Sequence, residues 1–209
     1  MDALDCLERS FQSAHPMRPK EFDSDAIAEA AMHVFWLRGY SGASIQHLVD
    51  GTGLGRGSLY NAFGSKRGLY EFALRRYYQL TAPNISILSE EGLVRDIVRK
   101  LLMKIVSEEL NDKESLGCMV ANASLELARH DQEIASLVAQ NFSRMERALK
   151  GLIKRGQESG EISVEKNPGA LARFFVSTIQ GIRVLGKGSA QEERAERLGD
   201  IVDVAISAL

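Results

Sequence analysis

Between positions 44 and 66 stand polar side chains of the kinds that nucleic acids accept: Ser44, Gln46, Arg56, Ser58, Tyr60, Asn61 and Lys66. Arginine bonds a guanine edge bidentately and asparagine does the same with adenine, so Arg56 and Asn61 are the candidate base readers. Ser44, Gln46, Ser58, Tyr60 and Lys66 suit phosphate oxygens, and such contacts set register without reading sequence. Tyr60 also suits half-buried packing, and its hydroxyl can still reach a phosphate from there.

Two short helices must hold these groups. Ile45, Leu48 and Val49 fall at i, i+3 and i+4 and share one face of the first. Ser44 precedes them, where its hydroxyl can cap the free amides. Gly51 and Gly53 stop that helix, because glycine tolerates the left-handed backbone that helix ends often need. Leu59 and Phe63 form the buried pair of a second helix that starts near Arg56. That pairing leaves Arg56, Ser58, Tyr60, Asn61 and Ala62 largely off the buried face. Gly64 ends the second helix, and Ser65 caps the next, which Lys66 opens. The arrangement is a helix-turn-helix, which lays its second helix in the major groove of DNA.

Gly51, Gly53, Gly55 and Gly57 also resemble a phosphate-cradling loop. The dinucleotide fingerprint needs a strand before it and a third glycine where Arg56 or Ser58 stands here. No Gly-Lys-Ser or Gly-Lys-Thr follows, so a Walker loop is excluded.

The other elements follow from apolar spacing. Residues 1–20 have no sustained period and read as a mobile arm, with Met17 as an alternative to Met1 for the start of translation. Asp23 to Arg38 forms the first helix, capped by Asp23 or Ser24, with Ile27, Ala31, Val34 and Phe35 buried. Ser65 to about Leu80 is the fourth, burying Leu69, Phe72, Ala73 and Tyr77. Thr81 to Ser89 contains Pro83 and no stripe, so the domain boundary is placed there: a helix-turn-helix unit over 21–80 and a larger helical unit over 81–209. In the latter, helices run from Val94 towards Asn111, from Cys118 to about Ala128, from Asp131 to Gly160, from Asn167-Pro168 to Gly186, and through Leu198 to Leu209. No segment alternates with period two, so the fold class is all-α.

Composition narrows the function. The chain has 209 residues, 44% hydrophobic and 26% charged, with a formal net charge of −2. It lacks the run of roughly eighteen apolar residues that a membrane span requires, and its first residues do not form a signal peptide. Cys6 and Cys118 make no disulfide framework, and no Cys/His spacing suggests zinc. His15, His33, His47 and His130 belong to no nucleophile–base or H-E-x-x-H motif. No catalytic residue, metal or cofactor is therefore expected, and the cytoplasm fits. Arg56, Lys66, Arg67, Arg75 and Arg76 stand against Glu71 alone between Gly55 and Arg76, a local basic patch on a near-neutral chain.

The same residues carry a family likeness. From Phe22 to Tyr77 the chain resembles the DNA-binding domain of the tetracycline-repressor (TetR) family. The match runs through Ala31, Phe35, Gly39 and Tyr40, then Ser44-Ile45, Gly53-Leu54, Gly57-Ser58-Leu59-Tyr60, Phe63 and Ser65-Lys66. Arg18 to Asp23 resembles the basic lead-in of many members. Gly55, Asn61, Ala62 and Arg67 depart from the usual residues, so the operator sequence is not inherited.

The resemblance implies a transcriptional regulator, more often a repressor, that binds operator DNA as a homodimer and lets go when a small molecule binds. It implies self-pairing through the last two helices, here through Phe175, Ile179, Ile182, Leu198, Ile201, Val202 and Ile206. It also raises the weight of a ligand cavity between helices four and eight. The residues expected to line it are Leu101, Met103, Met119, Leu125, Phe142, Met145, Phe174 and Phe175, with Asn122 and Gln180 as polar contacts. Plain core packing is the alternative for those apolar residues. Cys118 lies at a probable helix start, where the dipole favours a thiolate; it is either a sensor of oxidants or electrophiles, or an inert packing residue. The alternative function is an all-α ligand-binding protein or enzyme that never touches DNA.

Overall fold

The computed structural model describes residues 23–188, 190 and 192–209. The expected arm over 1–20, its Arg18–Phe22 lead-in and Met17 lie outside them. Ten helices follow in order among the described residues: α1 (Ser24–Gly42), α2 (Ile45–Thr52), α3 (Arg56–Phe63), α4 (Lys66–Leu80), α5 (Ala82–Ile87), α6 (Val94–Asn111), α7 (Met119–Glu126), α8 (Gln132–Glu158), α9 (Pro168–Gly188) and α10 (Arg194–Ser207). No strand occurs among the described residues, and the all-α expectation holds. No helix among them is long and apolar enough to cross a membrane.

Most helix starts obey the local chemistry. The Asp23 carboxylate accepts from the amides of Asp25 and Ala26. Asp131 does the same for Glu133 and Ile134 at the start of α8. One helix falls within 81–89, where none is expected. There Pro83 sits in the first turn of α5 instead of preventing it. Proline lacks only an amide that a first turn leaves unpaired anyway.

Two apolar clusters fill the molecule. One joins α1–α4 to α7 and the first turns of α8, through Ala31, Phe35, Leu48, Leu69, Met119, Ala123 and Ile134. The other joins α6, the far half of α8, α9 and α10, through Leu101, Ile105, Leu149, Phe175, Ile182 and Val202. The helix-turn-helix thus shares its core with α7 and α8, which lie beyond the expected boundary near Leu80. In α4 the buried stripe is Leu69, Tyr70, Ala73, Leu74 and Tyr77. Phe72, expected inside, is 47% exposed and leans its ring on Phe63 at 5.1 Å.

Helix α1 breaks at Gly39, whose φ of 69° bends the chain out of helical geometry. The Glu126 carboxylate from the end of α7 fills the bend and accepts the Tyr40 amide at 2.7 Å. A Cβ on Gly39 would lie 2.6 Å from that carboxylate, so both backbone and space demand glycine.

Candidate nucleic-acid interface and internal cavity

The turn between α2 and α3 is built from residues close in sequence. Ser44 caps α2 by accepting the His47 amide at 3.1 Å, while the Ser44 amide donates to His47 Nδ1 at 3.2 Å. This is a capping box with histidine where glutamate or glutamine is usual. The Ser44 expectation holds, but the part played by His47 was visible only as its spacing from Ser44. Gly53 ends α2 in the left-handed conformation. Ser65 caps α4 through the Gly68 amide at 2.9 Å. A Cβ on Gly68 would lie 2.1 Å from the Phe63 carbonyl oxygen, so only glycine fits where α3 turns into α4.

Helix α3 buries Leu59 and Phe63 and leaves Arg56, Ser58, Tyr60 and Asn61 exposed. Tyr60 is 41% exposed and lines a small crevice with Ile45, Leu48, Leu59 and Leu69, so its ring is half-buried. Gly55 occupies the cap position with no side-chain bond, so the first amides of α3 remain open to an anion. Arg56 makes no side-chain hydrogen bond or ion pair among the described residues. Gln46 donates to Asp50 at 2.8 Å on the exposed side of α2. Lys66 sets its ammonium 4.5 Å from the centre of the Tyr40 ring. Burial pulls its pKa below the usual lysine value, against the pull of Glu126.

The expected basic patch is narrower than its sequence. Arg67 forks onto Asp131 at 2.5 and 2.8 Å and reaches Glu71. Arg75 pairs with Glu133 and Arg76 with Glu29. Three of the five cations are therefore matched by carboxylates: Glu29 on α1, Glu71 on α4, Glu133 on α8 and Asp131 at the α8 cap. Glu71 lies one helical turn from Arg67, but Asp131, Glu133 and Glu29 lie 47 to 64 residues from the arginines they meet, and nothing in the local sequence points to them. The Arg67 hydrogen bond holds the Asp131 carboxyl down to about 2.

A cavity does lie between the helices, though its walls differ from those expected. Cys118, Phe142, Met145 and Gln180 line it, together with Tyr77, Asn84, Ile105, Arg144, Val176 and Arg183. Leu101 and Met119 are buried in the two apolar clusters instead. Asn122 does not reach the cavity. Met103 is 44% exposed and Leu125 85% exposed, so neither side chain points inward. The Cys118 sulfur accepts from the Ala121 amide at 3.5 Å and from the Tyr77 hydroxyl at 3.6 Å. Burial, chiefly, pushes the Tyr77 phenol well above its ordinary value.

Beside the cavity, Arg183 bonds Glu109 at 2.9 Å and Glu108 at 3.1 Å. Glu109 is 1% and Arg183 8% exposed, so the pair is truly internal. Burial raises the Glu109 pKa, while the guanidinium opposes that rise. Burial also pulls Arg183 down, but Tyr77, Cys118 and the two glutamates outweigh it and keep Arg183 charged.

The last two helices place their apolar residues differently from expectation. Phe175, Ile179, Ile182, Leu198, Val202 and Ile206 are sealed inside the single chain. Only Ile201 of the expected interface stays partly open. The exposed apolar residues of these helices belong to the neighbouring stripe. Phe174, Leu185, Ile201 and Val204 line a shallow external groove with Thr178 and Gly181. Phe174 is 42% exposed and sits outside, far from its expected place on the ligand cavity wall. The cause is rotational: the apolar arc of α9 is wide enough to cover core and outer face alike.

Comparison with known proteins bears on the whole chain. Residues 27–73 match the model for bacterial regulatory proteins of the tetR family, and residues 92–202 match the tetracyclin repressor-like C-terminal domain. The HTH-type regulator YezE of Bacillus subtilis is 30% identical over 194 residues, covering 92% of this chain and 98% of its own. The chain belongs to the TetR family. It is therefore a transcriptional regulator by family and not a member of an enzyme family. The HTH-type transcriptional repressor ComR of Escherichia coli is 29% identical over 195 residues, or 92% of this chain and 90% of its own. Among solved structures, the TetR-family regulator CifR in complex with 26-base-pair operator DNA superposes with a TM-score of 0.80 at 30% identity. That match covers 91% of this chain and 99% of CifR.

Proposed function

We propose that this chain is a cytoplasmic repressor that binds operator DNA as a homodimer and is released by a small molecule. The observation that carries the reading is α3. It is a second helix-turn-helix helix with exposed Arg56, Ser58, Tyr60 and Asn61 and an amide end left uncapped by Gly55. CifR, of similar sequence and fold, is known bound to operator DNA, and ComR is named a repressor. Arg56 and Asn61 read bases. Ser44, Gln46, Ser58, Tyr60 and Lys66 hold phosphates.

Titration on operator and random DNA at several salt concentrations tests this. Arg56→Ala should cost about 1–3 kcal/mol on the operator and less on random DNA. Lys66→Ala should weaken both alike and lower the salt slope by about one phosphate contact. Equal loss on both DNAs for Arg56→Ala would make it a phosphate contact. Wild-type protein that shifts neither DNA at low salt would leave the alternative, a ligand-binding protein without DNA.

Self-association is assigned to the outer stripe of Phe174, Leu185, Ile201 and Val204. A helix-turn-helix of this size reads few base pairs, and a symmetric pair doubles that reading. Val204→Glu should yield folded monomers in light scattering, since Val204 is 69% exposed and its loss opens no cavity. A stable Val204→Glu dimer would move the interface elsewhere. Cys118 is read as cavity wall rather than oxidant sensor. Its 8% exposure, which keeps oxidants from the sulfur, supports that role. Peroxide that releases wild-type protein from DNA, but not Cys118→Ser, would reverse it.

A further inference from the structure

The cavity carries more chemistry than a place for a ligand. Asn84 is 5% exposed, lines the cavity, and its Oδ1 has no hydrogen-bond partner among the described residues. Gln180 Oε1 and Arg144 Nε are buried in the same state on the same cavity. Native interiors rarely leave such atoms unpaired, and three around one space are complementary to a single polar head group. Each amide can present its oxygen or its nitrogen, because the two ends are interchangeable by rotation. The arginine can only donate.

Charge selects among head groups. Arg144 and Arg183 line the cavity, and no Asp or Glu does so among the described residues. Glu108 and Glu109 balance Arg183 from behind. Arg144 instead spends its other nitrogens on the Tyr78 carbonyl at 2.7 Å and the Thr81 hydroxyl at 2.6 Å, with no carboxylate in ion-pair reach. The guanidinium also stacks on the Tyr78 ring at 3.6 Å, so Arg144 is the arginine of this wall whose charge no carboxylate among the described residues neutralises. The adjoining cleft shares Tyr77, Thr81, Asn84 and Arg183, but there Lys104 and Arg183 face three carboxylates, Glu108, Glu109 and Asp112, and this net negative lining favours the Arg144 side for an anion. The same cavity is also lined by Ile105, Val120, Phe142, Met145 and Val176. The centre of a water molecule can occupy about 50 Å³ of the cavity, which is room for a few heavy atoms.

We infer that the cavity binds a small carboxylate with a short apolar body, its head accepting from Arg144 Nε and from the amide nitrogens of Asn84 and Gln180, both amides being turned to present their donor ends. The inference rests on the ligand-responsive reading above, but its test needs no DNA. Calorimetry on the full DNA-free chain compares butanoate, butanamide and butylamine, which share one body and differ in head. Butanoate should bind saturably, with one site per chain. Butanamide should bind roughly tenfold more weakly or worse, the worth of one charge-assisted hydrogen bond. Butylamine should not bind. Arg144→Gln should weaken butanoate by a similar factor. Asn84→Leu should abolish binding while leaving the melting temperature unchanged or raised, which a purely structural asparagine would not do. The inference is overturned by butylamine binding as tightly as butanoate, by no binding of any probe at millimolar concentration, or by undiminished butanoate affinity in both folded variants. Gel shifts on the same preparations keep the two readings apart, since DNA binding without butanoate binding overturns only this one.

Discussion

In the corner of α2, α3 and α4, Ser44 and His47 satisfy each other and Ser65 satisfies Gly68, all within three residues. Around the cavity, Asn84, Gln180 and Arg144 keep buried polar atoms unpaired, and Arg183 finds its carboxylates 74 and 75 residues away. The corner supports side chains that act outside it, and the Ser44, His47 and Ser65 side chains are consumed in building it, while the α3 amides stay open at Gly55. The cavity keeps polar groups in reserve, at a cost in stability that a complementary molecule can relieve.

The sharpest way to break the comparison is at Arg183. Arg183→Met leaves Glu109 buried without its cation and should cost about 3–5 kcal/mol in urea unfolding. A loss well under about 1 kcal/mol would show that Glu109 is neutralised by taking up a proton, and that the cavity region is less dependent on distant partners than proposed. In the corner, Gly68→Ala drives a Cβ to 2.1 Å from a backbone oxygen. It should cost about 1–3 kcal/mol and lower DNA affinity with it, because α3 must shift. An unchanged melting temperature would show that the corner is softer than its satisfied bonds suggest.

The smallest effect lies where the two regions meet, at the Arg67–Asp131 pair. Its carboxyl is held down to about 2, so the pair's contribution is complete above the ordinary aspartate range near ~4 and is lost as pH falls through about 2. The stability gap between wild type and Asp131→Asn should be flat above that range and close towards the lower value. Denaturant midpoints across acidic pH measure it. A gap that stays open at the lowest pH would assign the loss to the helix cap rather than to the ion pair.

The corner was legible because its chemistry is local. Ser44, Ser65, Asp23 and Asp131 each meet their amides within a few residues, so spacing alone locates the caps. Helix α5 was not, because a six-residue segment carries too little periodicity to reveal itself. Phe72 and Phe174 were misplaced for another reason. Helices packed on more than one side bury a broad arc, and a stripe read from one sequence does not say which edge of that arc meets solvent. The pairing of Arg67, Arg75 and Arg76, the walls of the cavity and the unpaired Asn84 all depend on tertiary neighbours, so no local pattern announces them.

The neighbouring placement of Phe174 and Phe175, one outside and one fully buried, bears on how this chain can vary. An α-helix turns through about 100° per residue. A single codon inserted between Pro168 and Phe174 would therefore rotate the rest of α9 by that angle and carry core residues outward while drawing surface residues in. Substitutions in this helix can be tolerated one site at a time, whereas a one-residue insertion or deletion disturbs the cavity wall and the outer groove together. Length variation among relatives should accordingly collect in the connections on either side of α9 and spare its interior.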